Sequence, residues 1–246
     1  MAASAPAPAT RMFWREIRLL SRDECASARE KIHALREEWT QWRWEAPHFT
    51  LGAASSFDAL RNGFAAYQEK ARRLNPLLGD RFGWLYDRLL DALSGELATP
   101  CYFDDEIARP GFQIWLGDEI FRLPVATVHF DVQYEEIGWK RYPGADPEGQ
   151  LSLTLAIRLP PGGAGLWTWP LFHQDLPPRN PGETRWTFSL EGLARQDHPY
   201  TEGRLILHSG HQLHQVAAMP GMTEKDERLT LQAHALPTSR GYLLYW

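Results

Sequence analysis

The spacing of hydrophobic positions changes near Cys101, from helical before it to short apolar or alternating runs after it. In the first part, Ser21 and Glu24 form an S-x-x-E capping box, and apolar or small residues then recur at helical spacing. This pattern predicts a helix from Ser21 to about Trp39. The other elements predicted for the first part are a strand at 14–20, a loop at 45–56, a helix at 57–74 that Pro76 ends, and a helix at 80–97.

After Cys101 the apolar runs are divided by Gly, Pro and Asp clusters, which is typical of a sandwich or barrel. The predicted fold class is therefore α+β but mainly β, a double-stranded β-helix (a cupin-like jelly roll) packed on N-terminal helices. We expect a disordered tail at 1–10 and a single domain at 11–246, with mainly helical support at 11–100 and the jelly-roll core at 101–246. The predicted strands are 111–116, 124–131, 151–159, 165–170, 184–190, 203–208, 212–217 and 228–235.

Two of these strands, 151–159 and 228–235, alternate strictly between polar and apolar residues. One interpretation is a sheet with one solvated face. The other is that the apolar faces pack on the helices and leave a polar barrel interior that can hold a ligand. On the second strand the polar face would consist of Arg228, Thr230, Gln232 and His234.

Composition and charge narrow the class of protein. With 43% hydrophobic residues and 12% aromatics the chain can bury a substantial core, and its net charge of -5 with scattered Lys and Arg argues against nucleic-acid binding. Cys25 and Cys101 are too few for a disulfide framework, and they show no zinc-site spacing. No apolar run is long enough to span a bilayer and no secretory signal is visible. We expect a soluble, cytoplasmic protein that acts on a small molecule and contacts neither nucleic acid nor membrane.

The candidate chemistry begins at His129 and Asp131, which period-two geometry places on one face of a predicted strand. With His214, much later in the chain, they would form the 2-His-1-carboxylate triad that leaves positions open on non-haem iron(II). His173 and Asp175 form a second H-x-D in a predicted loop, where nothing fixes a common face. Four predicted strands separate Asp131 from the strand of His214, enough to lead the chain around a barrel, whereas only two follow Asp175.

Three histidines compete for the distal position, namely His208, His211 and His214. We prefer His214 because Arg228 follows on the next predicted strand, with Thr230 two residues later on the same face. A guanidinium is well shaped to bind a carboxylate by two parallel hydrogen bonds, and a neighbouring hydroxyl can add a third.

The series H-x-D, H-x-V and R-x-T resembles the iron(II)/2-oxoglutarate dioxygenase superfamily over about residues 111–236. The resemblance implies iron(II), 2-oxoglutarate and dioxygen as cofactor and cosubstrates. It implies that His129, Asp131 and His214 bind iron and that Arg228 binds the distal carboxylate of 2-oxoglutarate. R-x-S is the commoner form in that family, but Thr230 keeps the hydroxyl. The related halogenases have a small residue at the position of Asp131, so the resemblance implies hydroxylation or another oxidation here.

We therefore expect a hydroxylase of a small molecule, such as an amino acid or a secondary metabolite. Gln113, Trp115 and Tyr134 lie near the predicted metal strand and are expected to contact substrate or cosubstrate. Two alternatives stay open. One is an oxygenase that acts on a protein or nucleic acid, and the other is a non-redox, cupin-like barrel that binds a metal or a sugar without 2-oxoglutarate. Arg228 discriminates against the second alternative, which has no use for a carboxylate-binding group.

Overall fold

The computed structural model describes residues 13–43, 45–177 and 187–246. The strands are β1 (Trp14–Arg18), β2 (Thr40–Arg43), β3 (His48–Leu51), β4 (Cys101–Tyr102), β5 (Gly111–Leu116), β6 (Leu151–Arg158), β7 (Leu166–Phe172), β8 (Gln196–His198), β9 (Arg204–Ser209), β10 (Gln212–Val216), β11 (Glu227–Thr238) and β12 (Gly241–Tyr245). The α-helices are α1 (Arg22–Ala34), α2 (Leu60–Asn62) and α3 (Phe64–Glu96), and a π-helix spans Ser55–Ala59. Short 3-10 helices lie at Arg36–Glu38, Glu119–Arg122, Gln133–Glu136, Trp139–Arg141, Pro147–Gly149 and His173–Asp175.

The strands form two sheets in the described part of the chain. The larger sheet has the order β1-β9-β6-β11-β5-β3-β2. Strand β12 pairs with the C-terminal part of β11, and β4 pairs in parallel with β12. The smaller sheet has the order β10-β7-β8. All other pairings are antiparallel. The prediction of a mainly β protein is confirmed.

The 12-residue strand β11 is the centre of the larger sheet, because it pairs with β5, β6 and β12. Its apolar residues lie in one hydrophobic cluster with side chains of α1 and α3, among them Ile32 and Phe82. Its other face is also buried, since Arg228 is 1% exposed and His234 is 8% exposed. A solvated outer face is therefore excluded for this strand. The apolar side chains of β11 in the cluster are Leu229, Leu231, Ala233 and Ala235.

In the N-terminal part, some elements of the structure match the prediction from the sequence and others differ from it. The capping box of Ser21 and Glu24 is present, and β1 lies where a strand is predicted. The prediction that Pro76 ends a helix is wrong, since Pro76 lies inside α3, whose helical geometry is interrupted at Phe82 (φ −124°, ψ 16°). Proline removes one backbone hydrogen bond from a helix. Burial of side chains on both sides of it, at Leu74 and Leu78, stabilises the continuous segment.

The loop predicted at 45–56 contains strand β3, which pairs with both β2 and β5. Strands β2 and β3 thus extend the larger sheet into the region 11–100 that is predicted as mainly helical. Each is four residues long, so the alternation they show is too short to distinguish a strand from an irregular segment.

The strand predicted at 124–131 is also wrong, because only His129 forms a bridge in this segment, to His214. The side-chain amide of Gln215 donates to the carbonyls of Pro124 (3.2 Å) and Ala126 (2.6 Å). A side chain thus satisfies backbone groups that a continuous ladder would otherwise pair.

Two further predictions fall on residues outside the described ranges. The tail at 1–10 lies wholly outside them, and so does the strand predicted at 184–190 as far as residue 186. Residues 187–190 are not a strand, and the third strand between Asp131 and β10 is instead β8. In the part of the chain that is described, no helix has both the length and the apolar composition needed to cross a bilayer.

The packing of β11 against the helices can be tested at Leu231, which is 1% exposed and lies in the main cluster. Leu231→Ala should lower the free energy of unfolding by about 2–5 kcal/mol, because it removes buried methyl groups and leaves a cavity. Leu123→Ala is the control, since Leu123 is 65% exposed. Chemical denaturation measures both, and equal losses in the two variants would contradict this packing.

Candidate metal centre

The predicted ligands come together through backbone pairing between two distant segments. His129 and His214 donate to each other's carbonyl, both at 2.9 Å, and the Asp131 amide donates to the carbonyl of Gly210 at 2.7 Å. The Nε2 atoms of His129 and His214 lie 3.5 and 3.4 Å from the Asp131 carboxylate. Within the described residues, these three form the one group whose ligand atoms all lie within 4.8 Å of one another.

Both imidazole rings are oriented with Nε2 towards the carboxylate. The Nδ1 atom of His129 lies 2.8 Å from the Thr127 carbonyl, and that of His214 lies 2.7 Å from the Gln212 carbonyl. A carbonyl oxygen only accepts, so each neutral ring carries its proton on Nδ1 and leaves the Nε2 lone pair free. This arrangement around a metal-binding histidine fixes both its tautomer and its orientation.

The Asp131 carboxylate is held by groups on the inner face of the larger sheet. Ser152 donates to it at 2.5 Å, and Ser152 Oγ lies 3.2 Å from His234 Nδ1. Gln150 donates to the backbone carbonyl of Asp131 at 2.8 Å. A Cβ atom at Gly210 would lie 2.5 Å from Ser152 Oγ and 2.9 Å from Asp131 Cβ, so the close approach of these segments requires glycine.

The electrostatics favour a carboxylate at Asp131. Burial opposes its ionisation, but His214 and then His129 outweigh this effect and hold its pKa well below the usual range. Burial also opposes protonation of His129, yet the contacts with Asp131 raise the pKa of this ring above its ordinary value. A metal ion competes with that proton, so metal affinity falls as the pH is lowered.

The competing histidines do not belong to the metal-ligand group within the described residues. His173 packs edge-on against the rings of Phe130 and His211, and neither it nor Asp175 belongs to the metal-ligand group. His208 is closer, with its ring centroid 5.1 Å from that of His214. Burial and then His214 lower the pKa of His208 to about 3, which keeps it neutral. His208 supports the ring of His214 by packing.

A buried arginine lines the same cavity as the ligands. Arg228 is 1% exposed, forms no ion pair with any described residue, and has no hydrogen-bond partner at Nε. Burial lowers the pKa of its guanidinium to about 10, so it is still protonated at neutral pH. Its neighbour Glu227 is held on the other face by Arg29 and by His33, the latter at 2.8 Å.

Aromatic rings and a hydroxyl surround this guanidinium. It lies 5.6 Å from the ring of Trp115, its cross-strand partner, and 6.0 Å from that of Tyr200. Thr230 Oγ1 accepts from Arg228 Nη1 at 3.3 Å but does not line the cavity. Thr230 therefore orients the guanidinium through this hydrogen bond. The buried Nε1 of Trp115 has no hydrogen-bond partner within the described ranges.

The cavity has a volume of about 810 Å³, and the three metal ligands and Arg228 all contribute to its wall. Of the three residues predicted to contact substrate or cosubstrate, Gln113 and Trp115 line it. Tyr134 instead lies in a buried hydrophobic cluster, with its ring 5.6 Å from that of His211. The structure thus brings the three predicted metal ligands and Arg228 to one cavity wall, and it places Thr230 and Tyr134 outside that wall.

Several residues of the site carry no motif in the sequence. Ser152 lies on the polar face of β6, so alternation indicates its direction but not its contact with Asp131. Trp42, His48 and Arg61 also line the cavity. His48 falls in the loop predicted at 45–56, Trp42 lies on β2, where no element is predicted, and Arg61 lies in the helix predicted at 57–74. The positions of Trp42 and His48 depend on the pairing of β3 with β2 and β5, which no local pattern predicts.

Comparison with known proteins identifies the fold. No protein-family model and no curated protein matches the chain. Among solved structures, AviO1 from Streptomyces viridochromogenes Tue57 is 12% identical, with a TM-score of 0.52 over 94% of this chain and 92% of that chain. The epimerase SnoN, solved with Fe3+, alpha ketoglutarate and nogalamycin RO, is 16% identical, with a TM-score of 0.50 over 95% of this chain and 94% of that chain. The chain therefore has the fold of these proteins, and at its centre lies a group of two histidines and one carboxylate.

Ser152 provides a test of how the carboxylate is held. Ser152→Ala should weaken iron(II) binding by about 10–100-fold, because loss of a partner that orients a metal ligand has an effect of this size. The control is Ser56→Ala, since Ser56 lines the same cavity without a hydrogen bond to Asp131. Anaerobic titration with iron(II) measures both affinities. Equal affinities in the two variants would show that Ser152 does not support the site.

Proposed function

We propose that the chain is a non-haem iron(II)- and 2-oxoglutarate-dependent oxygenase that hydroxylates a small molecule, and that residues 11–246 form one oxygenase domain. The observation that carries this proposal is Arg228, a buried cation that has no acidic partner among the described residues and lines the same cavity as the metal-ligand group. A buried charge of this kind is costly unless a ligand neutralises it.

The residues present fit both implied groups. His129, Asp131 and His214 would hold iron(II), because two imidazoles and one carboxylate leave open positions on this ion. The distal carboxylate of 2-oxoglutarate would bind Arg228, whose Nε has no hydrogen-bond partner in the described part of the chain, and the indole N–H of Trp115 would donate a further hydrogen bond. When bound, iron(II) with 2-oxoglutarate and dioxygen supplies the oxidising chemistry, and the chain supplies orientation and electrostatics.

Charge balance supports a dianionic cosubstrate. Two neutral imidazoles add no charge and Asp131 adds one negative charge, so a divalent ion in this site keeps a net positive charge. Arg228, on the polar face of β11, adds a second positive charge to the wall of the same cavity. A molecule with a chelating carboxylate at one end and a free carboxylate at the other end would neutralise both.

The rings around Arg228 would also exclude water from the bound carboxylate. Trp115 is 5% exposed and Tyr200 is 6% exposed. A hydrogen bond between charged groups is stronger in such a site than in water. Burial raises the pKa of the Tyr200 hydroxyl, which therefore stays protonated and can donate.

A small-molecule substrate fits the net charge of -5 and the volume of about 810 Å³. SnoN, which shares the fold, is described as an epimerase. The mass of the product therefore tests the hydroxylation itself, because hydroxylation adds one oxygen atom and epimerisation adds none.

Arg228 gives the sharpest test of the cosubstrate. Anaerobic addition of iron(II) and 2-oxoglutarate should give the visible charge-transfer absorption of the chelate. Arg228→Gln should raise the 2-oxoglutarate concentration at half-maximal absorption by at least about tenfold, since it removes a charge-assisted contact worth more than about 1.4 kcal/mol. Arg158→Gln is the matched control, because Arg158 lies on the neighbouring strand β6 and pairs with Glu202 at the surface.

Pyruvate provides the ligand control, because it has the chelating group of 2-oxoglutarate without the distal carboxylate. Its half-maximal concentration should be the same for the unaltered protein and for Arg228→Gln. If no absorption band forms with 2-oxoglutarate, or if Arg228→Gln leaves its half-maximal concentration unchanged, the cosubstrate assignment is wrong.

A further inference from the structure

The cavity wall includes residues that neither the metal nor the cosubstrate requires. Strand β2, the π-helix and α2 contribute Trp42, Phe57, Leu60 and Arg61 to this wall. Leu60 is 59% exposed and lies beside the partly exposed rings of Trp42 and Phe57. An exposed apolar surface beside a cavity often marks a ligand-binding surface. We call these four residues the rim.

The rim is an ordered aromatic surface. The rings of Trp42 and Phe57 are stacked, with centroids 4.8 Å apart and an interplanar angle of 19°. The indole N–H of Trp42 donates to Thr50 Oγ1 at 2.6 Å, which fixes the ring against β3. The guanidinium of Arg61 lies 5.2 Å from the centre of the same ring. The rim therefore combines the exposed Leu60 and two partly exposed aromatic rings with the positive charge of Arg61.

Arg61 is the cation of the rim that a ligand can neutralise. It is exposed and forms no ion pair with any residue that the structure describes. Lys70 also lies 5.2 Å from the Trp42 ring, but Asp58 neutralises it at 3.0 Å. Glu45 lines the cavity too, yet its carboxylate is not within ion-pair distance of Arg61.

We propose that the substrate is a carboxylic acid with an apolar or aromatic body, whose carboxylate binds Arg61 and whose body packs on Trp42, Phe57 and Leu60. This inference rests on the proposed function, because it concerns the substrate of the same cavity. A ligand seated on the rim would cover Arg61 on one side and remove water from it. The ion pair would then be stronger than one between fully exposed groups.

Binding of paired compounds tests this inference. The probes are 3-phenylpropanoate and N-acetylphenylalanine, each compared with its primary amide, which keeps the shape and removes the charge. Equilibrium dialysis against the protein loaded anaerobically with iron(II) and 2-oxoglutarate measures the dissociation constants. Each acid should bind at least about tenfold more tightly than its amide.

Two matched variants test whether the preference for the acid depends on Arg61 or on any exposed arginine that lies over a tryptophan. Arg61→Gln should bring the acid and the amide to within about twofold of each other. Arg36→Gln should keep the full preference, since Arg36 is also an exposed arginine over a tryptophan, 5.3 Å from the ring of Trp39, but does not line the cavity. Circular dichroism checks that both variants are folded.

The inference is overturned if no acid binds at millimolar concentration, if acid and amide bind equally, or if Arg61→Gln keeps the preference. Formation of succinate in air tests the proposed function separately. An Arg61-dependent preference for the acid without succinate formation would support acid binding at the rim and contradict the proposed oxygenase function. Succinate formation stimulated equally by acid and amide would support the oxygenase and contradict the rim.

Discussion

A buried arginine that meets no counter-charge in the described ranges is the constraint on which the rest of the site depends. Arg228 is 1% exposed, and its stabilising neighbours within the described residues are two aromatic rings and one hydroxyl. Cation–π contacts and one neutral hydrogen bond offset only part of the desolvation of a guanidinium. An anion bound in the cavity would neutralise the guanidinium. A metal ion held by the ligand group in the same wall would bind the other end of such an anion. The cation and the metal-ligand group thus have one explanation in common.

The geometry of the sheet makes this arrangement possible. Strand β11 turns its apolar residues towards α1 and α3, so its polar residues lie on the opposite face, where Arg228, Gln232 and His234 line the cavity. Cross-strand register then places Trp115 beside Arg228, and Ser152 beside His234. The smaller sheet supplies His214, and the His129 bridge connects it to the segment that carries Asp131. Packing of the hydrophobic core therefore positions polar groups that are far apart in the chain.

The sequence predicts the parts of this site that local periodicity and residue chemistry determine. Alternation in 228–235 indicates the polar face of β11, and the order of H-x-D, His214 and Arg228 selects the ligands that the structure brings within 4.8 Å. The contribution of Trp42 to the rim could not be predicted, because β2 joins the sheet through the non-local pairing of β3 with β5. The segment at 124–131 has the pattern of a strand, yet the side chain of Gln215 binds its carbonyls. Tertiary contacts override local pattern in both cases.

Anomalous diffraction at the iron edge tests the central claim most directly, on a crystal prepared anaerobically with iron(II) and 2-oxoglutarate. The account predicts one strong peak within bonding distance of Nε2 of His129, Nε2 of His214 and the carboxylate of Asp131. It also predicts that the distal carboxylate of 2-oxoglutarate lies on Arg228. A peak at His173 and Asp175, or a 2-oxoglutarate molecule whose distal carboxylate lies away from Arg228, would contradict it.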